Sequence, residues 1–180
     1  FFLTYLFGYV PNINLIVKLC TKYNVTLIED ISQNIGSKYD SKLLGTFGKV
    51  AIYSASMTKY IDGYNGAFSI TPDKEINERL NNFTMSLLRP DSFRIKKIIF
   101  KTLIWNIALN KNIFNIFTYN MLRILSRISP RIFDKLLGPS IITKRNLSLP
   151  KYYFENITNI QALNISKNLK RLNKLIRERR

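Results

Sequence analysis

The chain has 180 residues, 46% of them hydrophobic, which is enough to bury the core of one domain. With one cysteine and no histidine, it excludes an internal disulfide, a His/Cys zinc site and any Ser-His-Asp or Cys-His mechanism built from its own residues. The net charge of +17 is uneven: residues 1–75 hold 7 Lys, no Arg and 6 acids, while the remainder holds 21 basic residues against 5 acids.

Residues 1–7 form an apolar run that predicts a strand. No basic segment precedes the run and no small-residue cleavage site follows it, so it does not read as a secretory signal. An apolar opening without an initial Met leads us to expect a fragment of a longer protein. After Gly8 and Pro11, residues 12–23 place Ile13, Ile16, Val17 and Cys20 on one helical face, with Asn24 as a stop signal. Cys20 is expected to be a small core residue. Residues 25–28 predict a short buried parallel strand with Glu29 and Asp30 at its carboxyl end, where open α/β sheets bind ligands. Residues 39–48 read as a turn-rich excursion and residues 50–55 as a strand. A polar link over 56–59 follows, then a strand over 66–71 and a helix from Pro72 and Asp73 to about Leu88.

The second half reads as helical and basic. Ile95, Ile98, Ile99, Leu103 and Ile107 make one stripe, and Ile113, Ile116, Phe117, Met121 and Leu125 another. Pro130 and then Gly138-Pro139 punctuate the end of this region. Residues 155–180 predict a long final helix with Ile157, Ile160, Leu163, Leu169, Leu172 and Ile176 on one side. No run reaches the roughly 18 uncharged apolar residues of a spanning helix, and the expected location is the cytoplasm. The basic helices are expected to turn their apolar stripes to a core. The alternative is peripheral contact with an anionic membrane surface. Nucleic-acid binding has only the charge excess behind it and no motif, so it is set aside.

Asp30 and Gln33 after one strand, Ser54 and Lys59 after the next, and Gly63 and Gly66 behind them form one constellation. The stretch LIEDISQNIGSKYDSKLLGTFGKVAIYSASMTKYIDGYNGAFSIT (residues 27–71) resembles the DegT/StrS family of pyridoxal-phosphate aminotransferases, which act on keto sugar nucleotides. TYLFGYVPNINLIVKLCTKYN (residues 4–24) is similar to the strand, turn and helix preceding that motif. The resemblance implies an α/β fold: a partial fold-type I large domain, three-layer α/β/α, followed by a mainly helical segment. It divides the chain into the later half of the cofactor domain (1–72), a basic helical insert (73–150) and the start of a small domain (151–180).

The resemblance also assigns roles. Asp30 pairs with the pyridinium nitrogen of pyridoxal 5'-phosphate, Gln33 lies against the ring or its phenolic oxygen, and Ser54 bonds the phosphate. Lys59 carries the cofactor and moves the substrate proton. Gly63 and Gly66 are expected to let the backbone turn sharply beyond the lysine. A lysine at 59, where dehydratase relatives carry histidine, implies transamination. The implied partners are an amino donor such as glutamate, a keto sugar nucleotide destined for surface polysaccharide or a related glycan, and a second copy of the intact enzyme in a homodimer. The alternative function is an inactive relic or a cationic, membrane-surface-binding helical protein. Tyr5 stands where the family often has histidine. Phe154-Glu155-Asn156-Ile157 replaces the usual Asn-x-Arg-Met before the last helix.

Overall fold

A computed structural model describes residues 1–137 and 148–178. The chain forms two compact units, one of residues 1–91 with 154–180 and one of residues 92–153.

The first unit is built on a four-stranded sheet in the order β1-β2-β5-β6. β1 (Phe2–Thr4), β2 (Ile28–Asp30) and β5 (Val50–Ala55) are parallel, and β6 (Gly66–Ile70) returns antiparallel to β5. Parallel neighbours need a crossover, which α1 (Ile13–Lys22) supplies between β1 and β2. The α1 amino end is closed by the Asn12 side chain, which accepts from Leu15 N at 3.0 Å. Its carboxyl end is closed by Asn24, left-handed at φ 51° as the stop signal required. The excursion before β5 holds a two-residue hairpin, β3 (Lys38–Tyr39) and β4 (Lys42–Leu43), whose turn residues Asp40 and Ser41 sit at φ 48° and 66°. α2 (Lys74–Ser86) starts at Asp73, whose side chain accepts from Ile76 N.

The core of this unit gathers Leu3, Tyr5, Ile13, Leu27, Ile31, Ile35, Leu44, Ala51, Tyr53, Ala55, Ile61 and Ile165, with Cys20 packed at its margin. Several expectations need correction. β1 ends at Thr4, because a 3-10 turn over Leu6–Gly8 takes over with Phe7 left-handed at φ 53°. β2 starts three residues later than expected and includes both acids. The final helix is two: α7 (Asn159–Lys170) and α8 (Leu172–Glu178), broken at Arg171, whose φ of −103° and ψ of 7° interrupt the helix. Of the expected stripe on α7, Ile160 and Leu163 are exposed, and Ile165 goes into the core instead.

The second unit contains α3 (Ser92–Ala108), α4 (Lys111–Ile113), a π-turn over Phe114–Thr118, α5 (Tyr119–Ile128) and α6 (Pro130–Leu137). Thr118 Oγ1 donates to Ala108 O at 2.8 Å and ties the π-turn to the end of α3. The expectation that these helices face a core holds only in part, since Ile95 is buried and Ile98, Ile99 and Leu125 are half-buried. Among the described residues of this unit only Ile95, Thr102 and Thr118 are buried, and Leu103, Ile107, Ile113, Ile116, Phe117 and Met121 are exposed. The punctuating Gly138-Pro139 lies outside the described residues.

Candidate functional site

Successive residues of a strand point to opposite faces, so the neighbours Glu29 and Asp30 do different work. Glu29 is fully buried and accepts four hydrogen bonds. Its Oε2 receives Tyr5 OH at 2.8 Å and Gly45 N at 2.7 Å, and its Oε1 receives Phe47 N at 2.7 Å and Gly48 N at 2.6 Å. A buried carboxylate persists only when it is hydrogen-bonded to this degree. Glu29 thereby fastens the loop entering β5 and the end of β1 beneath the sheet. Burial, followed by the hydrogen bond to Glu29 and its charge, holds the Tyr5 phenol far above its ordinary range. Tyr5 is therefore an internal brace.

Asp30 is half-buried, and its Oδ1 accepts from Ser32 N at 2.9 Å. Ser32 Oγ in turn accepts from Ser54 N at 2.9 Å, continuing the β2–β5 ladder one rung past the end of β2. Ser32 thus holds Ser54 in register with the Asp30 turn. Gln33 is exposed, with Oε1 accepting from Phe7 N at 2.9 Å, which ties the turn after β1 to the turn after β2. Asp30, Gln33 and Ser54 therefore converge at the carboxyl ends of the parallel strands.

Lys59 follows the end of β5, and its backbone N donates to Ser56 O at 3.0 Å. The side chain is half-buried, and among the described residues its ammonium has no hydrogen bond or ion pair. The loop that carries it is fixed from both sides. Ile61 N donates to Tyr53 OH at 2.9 Å, and Gly63 N to Ala55 O at 2.8 Å. Three carboxamides of α7 reach the same loop: Gln161 Nε2 donates to Tyr64 O at 3.0 Å, while Asn164 Nδ2 and Asn168 Nδ2 each donate to Asp62 O at 2.9 Å.

The sharp turn expected beyond the lysine forms, closed by Gly66 N donating to Gly63 O at 2.9 Å, and the two glycines that flank it also serve space. A Cβ on Gly63 would lie 2.5 Å from Ile165 Cγ1 and 2.8 Å from Ala55 Cβ, and one on Gly66 would lie 3.0 Å from Gly63 O. The left-handed positions are Tyr64 at φ 52° and Asn65 at φ 62°. Sequence reasoning missed Glu29, Ser32 and the three carboxamides. The adjacent acid pair at a strand end and the helical spacing of 161, 164 and 168 were the available signals. A groove of about 490 Å³ lined in part by Cys20, Leu27, Phe47 and Lys49 lies at the opposite ends of β2 and β5 and includes none of these residues.

Residues 2–132 match the DegT/DnrJ/EryC1/StrS aminotransferase family. The chain is 34% identical over 79 residues to the GDP-perosamine synthase of Escherichia coli O157:H7, covering 44% of this chain and 22% of that protein. It is 34% identical over 74 residues to the putative pyridoxal phosphate-dependent aminotransferase EpsN of Bacillus subtilis, covering 41% and 19%. Among solved structures, Helicobacter pylori PseC, an aminotransferase involved in the biosynthesis of pseudoaminic acid, aligns with a TM-score of 0.44 at 27% identity, covering 50% of this chain and 24% of that one. The chain thus spans between 19% and 24% of the length of these relatives.

Proposed function

Since the chain belongs to the DegT/DnrJ/EryC1/StrS aminotransferase family, we propose that it carries the lysine-bearing half of a pyridoxal-phosphate site. That site passes an amino group from a donor such as glutamate to a keto sugar nucleotide, for surface polysaccharide or a related glycan, in the cytoplasm. In this reading residues 1–72 are the later half of a three-layer α/β/α large domain, 73–150 an inserted basic segment and 151–180 the start of a small domain. The intact enzyme is a homodimer. The observation that carries the reading is the convergence of Asp30, Gln33 and Ser54 at the carboxyl ends of β2 and β5, with Lys59 on the braced loop that follows.

The donor set fits the cofactor. Asp30 uses Oδ1 on Ser32 N, which leaves Oδ2 for a protonated ring nitrogen. Gln33 uses Oε1 on Phe7 N, which leaves its NH₂ for a ring oxygen. Ser54 is exposed next to the carboxyl end of β5, with its hydroxyl available to donate to a phosphate oxygen. When bound, pyridoxal phosphate supplies the electron sink for loss of the proton next to the amine. Asp30 keeps the ring nitrogen protonated by placing a negative charge beside it. Lys59 Nζ holds the cofactor between turnovers and moves the proton at the substrate carbon. The Asp62 and Tyr64 carbonyls, held by the α7 carboxamides, fix the loop from which Lys59 extends.

The test is absorbance of the full chain with pyridoxal phosphate. A lysine-bound cofactor gives a band at roughly 410–430 nm, which Lys59→Ala abolishes. A folded chain without the band, or a band that survives Lys59→Ala, overturns the proposal.

A further inference from the structure

The unit of residues 92–153 carries twelve Lys and Arg residues against a single acid, Asp134, a net +11. It also turns apolar side chains outward. Phe117, Met121, Ile124 and Ile128 recur at spacings of four, three and four, so they form one stripe; they are 69%, 57%, 55% and 78% exposed. On α3 a second stripe of Phe93, Phe100, Ile104 and Ile107 is 70%, 65%, 49% and 62% exposed. The stripes adjoin, because Phe100, Ile104 and Met121 line a common groove of about 590 Å³ together with Trp105. Lys97 and Lys101 line the same groove.

Contiguous exposed apolar surface marks a docking site, and its chemistry here selects the occupant. A soluble acidic protein or a nucleic acid would satisfy the cations and leave the stripes in water. An apolar protein face would cover the stripes and leave Lys97, Lys101, Arg123 and Arg127 facing nothing of opposite sign. An anionic bilayer answers both, since its acyl boundary takes the apolar stripe while its headgroup phosphates take Lys and Arg. No helix among the described residues is long and apolar enough to cross a membrane, so the contact is with the surface.

We propose that the helical unit 92–153 docks on an anionic phospholipid bilayer. Phe117, Met121, Ile124 and Ile128 enter the headgroup–acyl boundary, and Lys97, Lys101, Arg123 and Arg127 sit at the phosphate level. Trp105 lies in the groove beside the stripe, as an interfacial indole does. The proposal is independent of the cofactor reading and holds for Lys59→Ala.

The experiment uses the full chain and extruded vesicles of phosphatidylcholine, alone or with about one third phosphatidylglycerol. Co-sedimentation measures partitioning. Trp105, the only tryptophan, reports insertion through quenching by brominated acyl chains. The expected result is at least tenfold stronger partitioning on the anionic vesicles, reversed by salt, with Trp105 quenched. Each cation near the surface is worth about fivefold, so Lys97→Gln with Lys101→Gln lowers partitioning about twenty-five-fold. Ile124→Ser with Ile128→Ser weakens binding and abolishes quenching while circular dichroism stays helical. A folded chain that stays in the supernatant overturns the proposal. Binding indifferent to the isoleucines, with Trp105 unquenched, assigns the surface to soluble polyanions. Concentration-dependent dimerisation that removes vesicle binding assigns it to a second copy.

Discussion

Replacing Glu29 by glutamine keeps the shape of the side chain and changes what it offers its four donors. The best placement keeps Oε1 on Phe47 N and Gly48 N, and lets the new NH₂ donate to Tyr5 oxygen once the phenol rotates. Gly45 N then faces a second donor, because Tyr5 and Gly45 share Oε2 in the native site. A buried amide left unsatisfied costs about 1–3 kcal/mol. The two bonds kept at Phe47 and Gly48 fall from charge-assisted to neutral strength, roughly half. Against this stands relief of the several kcal/mol it costs to bury a carboxylate. We expect Glu29→Gln to destabilise the first unit by about 1–3 kcal/mol. Urea unfolding read by tyrosine near-ultraviolet circular dichroism suits the measurement, because Trp105 lies in the other unit and its fluorescence would report that one. Amide exchange supplies the local readout: protection at Gly45 should fall more than at Phe47 and Gly48. A change below about 0.5 kcal/mol with Gly45 protection intact would refute the claim that the four bonds hold this loop.

Two further outcomes follow from the same geometry. The folded-state pKa of Tyr5 is raised, so its contribution to stability is complete below the unfolded value near 10 and declines above it, by about 1.4 kcal/mol per pH unit, while only the unfolded chain ionises. Tyr5→Phe should therefore lose stability at neutral pH through one bond to Glu29 and show a shallower decline above pH ~10 in urea midpoints measured against pH. Gly63→Ala sets a methyl carbon against Ile165 and Ala55 at 2.5 and 2.8 Å. It should cost about 1–3 kcal/mol and, by displacing the loop, weaken the Lys59-dependent absorbance band, whereas Lys59→Ala removes the band and leaves the unfolding midpoint nearly unchanged.

Much of the first unit was legible because its signals are local. The apolar period of α1, the Asp73 cap of α2 and the strand at 50–55 each depend on neighbours within a few residues, and each forms as expected. Asp30, Gln33 and Ser54 were singled out through their resemblance to a family pattern, and parallel pairing, which sets Asp30 beside Ile52, brings their segments to the same end of the sheet. Glu29 was not legible as a structural anchor, since its four donors come from positions 5, 45, 47 and 48. Nor was the role of Gly63: its sequence signature is that of a turn, and its actual constraint is Ile165, a hundred residues later.

The helical half marks the same boundary from the other side. Sequence alone determined that residues 92–137 are helical, basic and apolar in stripes, because period and charge are properties of the chain itself. Which way those stripes face depends on what other segments arrive to cover them, and periodicity is the same for a stripe in a core and a stripe on a surface. The tertiary structure decided that question. Ile95, Thr102 and Thr118 are buried, and the side chains of Phe117, Met121, Ile124 and Ile128 are exposed.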